Sequence, residues 1–101
     1  KREAAYVQKV IALATRRETQ ARDIFDLNLL LTSGVDPTDV KDKSAKYAGQ
    51  ARDNAWTVSY GMFKSQVVSY LHPEYQAQCS SAELWDSMVL QVVEALGGSN
   101  Q

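Results

Sequence analysis

The chain has 101 residues, 45% hydrophobic and 23% charged, with a formal net charge of −1 and a single cysteine. That bounds it to one small domain with one core, because a chain of this size buries roughly two-thirds of its unfolded surface and needs neither disulfides nor a structural metal. The near-neutral charge argues against a protein that coats nucleic acid; no apolar run approaches the roughly 20 residues that span a bilayer; and Cys79 alone makes neither a disulfide framework nor a zinc site, which places the expected location in the cytoplasm.

The charge is uneven. Residues 1–26 carry six Lys/Arg against four Asp/Glu, which leaves +2 at the front and −3 behind. The chain opens on Lys1 with no Met and no capping residue ahead of a helical pattern, as expected of a piece cut from a longer protein. The domain is expected to cover residues 1–98, with 99–101 as a tail.

Glycine is sparse until the end and proline stands only at 37 and 73, so long uninterrupted segments predict an all-α fold, a bundle of four to five helices. In residues 3–17, Tyr6, Val7, Val10, Leu13 and Ala14 follow the 3, 4 spacing of a helix with one buried stripe, and Lys9, Ala12 and Arg16 lie beside it. A short break at Glu18-Thr19-Gln20 suits a tight connection between antiparallel neighbours. Residues 21–32 bring Ile24, Phe25, Leu27, Leu29, Leu30 and Leu31, apolar almost all the way round, which predicts a central helix.

Ser33-Gly34 supplies a stop, and Asp36-Pro37 reads as a cap followed by proline at the first helical position. A third, more polar helix runs from there through Val40, Tyr47, Ala48 and Ala51 to Ala55 or Trp56. Ser59 caps a fourth segment, Tyr60 to Leu71, with Met62, Phe63, Val67, Tyr70 and Leu71 at helical spacing. His72-Pro73 ends it, with one short turn or helix at Pro73-Glu74-Tyr75. Ser80 or Ser81 then caps a last helix with Leu84, Trp85, Met88, Val92 and Leu96 as its stripe, and Gly97-Gly98 stops it.

The stretch that can carry chemistry is residues 9–27. It holds Lys9-x-x-Ala12-x-x-x-Arg16 and then Arg22-Asp23-x-x-Asp26-Leu27. On helical geometry Lys9 and Arg16 are two turns apart on one side, and Asp23 and Asp26 share a face, so a short connection brings the groups together. Spacing alone admits two readings. One is an ion-pair network that sets the angle between two helices, with the aspartates favoured at a helix N-terminus. The other is half of a phosphoryl- or nucleotidyl-transfer site, where a cation neutralises phosphate oxygens and carboxylates bind a metal or position a nucleophile.

This pair of motifs resembles the C-terminal part of AbiEii/AbiGii-type nucleotidyltransferases, the toxins of type IV toxin–antitoxin and abortive-infection systems. The later residues Phe63, Val67, Tyr70-Leu71, Pro73-Glu74 and Trp85-x-x-Met88 look like the helical tail of those proteins. The resemblance implies a polymerase-β-like enzyme that uses a nucleoside triphosphate and Mg²⁺ to attach nucleotides to a target such as tRNA or protein. It implies catalytic-site roles for Lys9 and Asp23, with Asp26 as the second acidic position and Arg16 and Arg22 as supporting basic positions. Lys9 would meet the triphosphate, and Asp23 or Asp26 would position a nucleophile or orient Lys9.

The implied partners are an N-terminal nucleotidyltransferase domain in cis, an antitoxin, and tRNA for the full-length protein. The chain departs from the family pattern in one respect: it has no Gly-Ser followed by an Asp-x-Asp pair on a strand, so it is not expected to be active alone. The alternative expectation is a non-catalytic helical interaction domain, binding an antitoxin or another copy of itself, whose charged helix pair is structural. Trp56, Tyr60 and Phe63 read as core before they read as a stacking platform for bases. Trp85 reads as core with its N–H on a carbonyl, His72 as a helix-end or surface residue, and Cys79 as a neutral thiol in a loop or at an element end.

Overall fold

A computed structural model of the chain describes residues 1–97. Gly98 and the tail expected at 99–101 lie outside the described residues. The long breaker-free segments become six α-helices: α1 (Arg2–Thr15), α2 (Ala21–Thr32), α3 (Lys41–Ala55), α4 (Tyr60–Gln66), α5 (Pro73–Cys79) and α6 (Ala82–Ala95). There is no strand among the described residues. Four of these helices have 12 to 15 residues and make the bundle, while α4 and α5 have seven each. The all-α expectation holds, and the helix that exceeds the predicted four to five comes from the shortness of α4 and α5.

The punctuation residues act as their chemistry predicts. Asp36 accepts from the Thr38 N–H ahead of a 3₁₀ turn at Pro37–Val40, Ser59 caps α4 on the Met62 N–H, and Ser81 caps α6 on the Leu84 N–H. Gly34, with φ near 115°, takes the left-handed conformation that closes α2. Three boundaries differ from expectation. The first helix ends at Thr15, and Arg16 is extended. The third α-helix starts at Lys41, after the 3₁₀ turn. The predicted segment from Tyr60 to Leu71 breaks after Gln66 and tightens into a 3₁₀ turn at Val68–Tyr70. Val67 and Val68 are consecutive and both buried. Neighbours on an α-helix point about 100° apart, so a change of winding lets both β-branched side chains reach the core.

The core gathers Tyr6, Val10 and Leu13 of α1, Ile24 and Leu27 of α2, Ala51 and Ala55 of α3, and Trp85, Val89 and Val92 of α6. Phe63 of α4 stacks on Trp85 with ring centroids 4.3 Å apart, and Trp85 Nε1 donates to the Val58 carbonyl at 3.0 Å. Helix α2 packs on α1, α4 and α6, as its apolar circumference predicts, although Leu29 stays half exposed. Two aromatic expectations are corrected. Trp56 is 60% exposed and Tyr70 80% exposed. Trp56 sits just beyond the last turn of α3, where no later element among the described residues covers it, and the change of winding after Gln66 carries Tyr70 outward. No helix of the described residues is long and apolar enough to cross a membrane.

Candidate functional site at the α1–α2 turn

The turn between α1 and α2 is held by partners that the local pattern does not announce. Asn54, near the end of α3, donates its Nδ2 to the carbonyls of Leu13 at 2.9 Å and Ala14 at 3.3 Å, which satisfies two carbonyls at the C-terminal end of α1. Gln20, the cap residue of α2, makes no side-chain cap bond. Instead Gln66 of α4 accepts from the Ala21 N–H at 2.8 Å. Amides of this kind, one helix away in space and tens of residues away in sequence, leave no local signal.

With the turn fixed, the sequence-predicted residues converge. Arg16, extended just past α1, folds back so that Nε lies 2.6 Å from Asp23 Oδ2 and Nη2 lies 3.2 Å from Asp23 Oδ1. Lys9 Nζ, two turns earlier, stands 3.4 Å from Asp23 Oδ1 and 3.0 Å from Asp26 Oδ2. Arg22 Nε reaches Asp26 Oδ1 at 3.2 Å along α2 itself. All five residues singled out from the sequence thus form one network. Three cations face two carboxylates, so the network carries one net positive charge.

Burial divides the network into two layers. Asp23 is fully buried, with a side-chain exposure of 0%. A buried carboxylate is tolerated only when it is paired and hydrogen-bonded, and here the Arg16 fork and Lys9 supply three donors while the first turn of α2 adds a favourable dipole. The hydrogen bonds that Arg16 donates to Asp23, and then the charge of that carboxylate, push the guanidinium above its ordinary value. Lys9 keeps 31% of its side chain exposed, Arg16 47%, and Asp26 and Arg22 also reach water. The inner carboxylate is closed over and satisfied, while the cations form an open rim.

The rim stands apart from the grooves described on the chain. Neither of the two grooves described on the chain is lined by any of the five residues. Magnesium, which the family implies, finds no matching donor set. Among the described residues no group of three or more His, Cys, Asp or Glu could hold a metal ion, and both network carboxylates are engaged by cations. The residues present do not fit a metal ion.

The other sequence candidates fall outside the network. His72 is exposed at the start of α5, with Nδ1 3.5 Å from Glu74, a partner that the sequence reading did not assign. Cys79 ends α5 with a free thiol.

Fold and network together define a small helical domain whose charged hairpin presents a positive rim held by buried acid. The family model described as nucleotidyl transferase AbiEii toxin, type IV TA system, matches residues 1–95. The chain belongs to that family. No curated protein and no solved structure matches it.

Proposed function

We propose that residues 1–98 form one helical domain of a longer polymerase-β-like nucleotidyltransferase and that its task is to present Lys9 to the triphosphate of the incoming nucleotide. The supporting observation is the setting of Lys9 Nζ, fixed between Asp23 and Asp26 at 3.4 and 3.0 Å while about a third of the side chain stays open. An ammonium held by two carboxylates has few orientations to lose when phosphate oxygens arrive, and a preorganised cation is what developing charge on a phosphoryl group requires. Asp23 acts as a positioning residue, since it is buried and gripped by Arg16. Asp26 orients Lys9 from the rim, and Arg22 and Arg16 add positive charge beside it.

An open rim fits a surface completed by a neighbour, and an N-terminal nucleotidyltransferase domain in cis would supply the walls and the metal carboxylates. Membership in a type IV toxin family suggests an antitoxin partner. The acceptor is proposed to be tRNA or a protein, and the compartment the cytoplasm.

A second reading has its own support. Asp23 is completely satisfied inside the fold, as expected of a structural ion pair in a protein-interaction domain. Lys9→Met in the complete protein separates the two. A role at the triphosphate predicts a loss of nucleotide transfer of about 100-fold or more with melting nearly unchanged, and partial rescue by Lys9→Arg. Transfer retained by Lys9→Met, or lost only in step with melting temperature, supports the structural reading.

A further inference from the structure

A groove of about 470 Å³ lies between α1, α3 and α6, and none of its lining residues belongs to the Lys9 network. Its long wall is one face of α3. Lys41, Ser44, Ala48 and Arg52 follow one another at spacings of three and four, which align them along about 16 Å of helix. Thr38 stands at the Lys41 end, and Glu94 of α6 lines the wall that faces α3.

Tyr6 of α1 borders the same groove. It is among the largest fully buried side chains, 1% exposed, and its hydroxyl has no hydrogen-bond partner among the described residues. Buried hydroxyls are nearly always bonded, because an unmatched one forfeits its hydration with nothing in exchange. An orphan hydroxyl on a residue that lines a groove is a donor that a ligand seated there can satisfy.

The charges around it select the ligand's sign. Lys41 takes part in no ion pair among the described residues. Arg52 gives one N–H to the Leu96 carbonyl at 2.5 Å and has others left. Two cations against Glu94 leave the groove positive, and the alanines at 45 and 48 offer an apolar strip for a ligand's body. The volume is that of small-molecule sites.

We propose that this groove binds a small organic anion, with its acid group at Lys41 and Thr38 and its body along Ser44 and Ala48, where an acceptor atom receives the hydrogen bond of the Tyr6 hydroxyl. The site is separate from the one proposed for transfer and does not depend on that reading.

The test is ligand titration of the 101-residue chain carrying ¹³C-labelled tyrosine, with the Tyr6 signal assigned by its loss in Tyr6→Phe. The probes are adenosine monophosphate for a phosphate ester, benzoate for a carboxylate, inorganic phosphate alone, and uncharged adenosine. Saturable movement of the Tyr6 signal below about 1 mM of either organic anion is expected, weakened about tenfold or more by Lys41→Ala and unchanged by Lys9→Ala. Which anion binds decides between phosphate ester and carboxylate.

Three results would overturn the proposal. One is no saturable movement with either organic anion. Another is equal binding of adenosine, or a response to inorganic phosphate only. The third is loss of binding in Lys9→Ala, which would move the ligand to the other site. If Lys41→Ala fails to fold, Lys41→Gln reads the same charge.

Discussion

Arg16 stands just outside the helix that precedes it, Asp23 lies fully buried in the helix that follows, and the guanidinium grips the carboxylate through Nε at 2.6 Å and Nη2 at 3.2 Å. The two partners are not equivalent, because one can rehydrate and the other cannot. Arg16→Ala strands a buried carboxylate with Lys9 alone, whereas Asp23→Asn leaves cations that turn to water. Arg16→Ala is therefore expected to lower stability more, by about 2–3 kcal/mol against about 1–2 kcal/mol for Asp23→Asn. The first figure stays below that of a fully buried pair because Arg16 is half exposed. Urea melts of both variants check the order, and a larger loss for Asp23→Asn would contradict it.

Arg22 and Asp26 make the opposite case. They form an i, i+4 pair on an exposed helix face, and such pairs contribute little. Arg22→Ala should shift stability by less than about 0.5 kcal/mol, and the shift should vanish in high salt. In the complete protein, a rise in KM for the nucleotide with kcat unchanged would be the expected reading of a rim cation.

Tyr6 sets a pH dependence. Desolvation pushes its phenol from 10.0 up to about 12. Between those values the unfolded chain releases the proton while the folded chain keeps it, so stability falls as pH rises through this window. It is fully present below the unfolded value. The loss should be on the order of 2 kcal/mol. Tyr6→Phe should lack this slope and, with the unmatched hydroxyl removed, should be more stable than the native chain at pH 7 by about 1 kcal/mol. Urea melts from pH 9 to pH 12 compare the two.

The two tryptophans should separate cleanly. Trp85→Phe leaves the Val58 carbonyl without its donor and thins the stack on Phe63, which predicts a loss of about 2–4 kcal/mol. Trp56→Ala removes an exposed ring and should be near neutral, within about 0.5 kcal/mol. Iodide should quench the fluorescence of Trp56 and spare that of Trp85.

Much of this molecule was legible in its residues. Helix caps at Asp36, Ser59 and Ser81 and the apolar stripes of α1 and α6 are local properties, written in neighbours three and four apart. So was the membership of Lys9, Arg16, Arg22, Asp23 and Asp26 in one group, because a short turn between two helices leaves little freedom in which faces meet. The unequal standing of the two aspartates was not. Asp23 and Asp26 share a helix face, yet Asp23 is sealed under Arg16 and Asp26 stays on the rim.

Burial is where local pattern ends, since it depends on what arrives from elsewhere in the chain. Trp56 and Trp85 carry the same side chain, one at the end of α3 and one within α6, and only the helices that reach Trp85 bury it. Asn54 and Gln66 hold the α1–α2 turn from 40 and 45 residues away. Tyr6 reads as one more residue of an apolar stripe until the fold buries its hydroxyl beside the groove lined by α3 and α6, with no partner among the described residues. The sequence by itself determined the helical class and the charged group, because both rest on short-range spacing, and its motifs carry the likeness to the family whose model matches residues 1–95. The tertiary structure alone decided which charges are sealed, which are open, and where the groove beside Tyr6 lies, because desolvation is a property of the assembled helices.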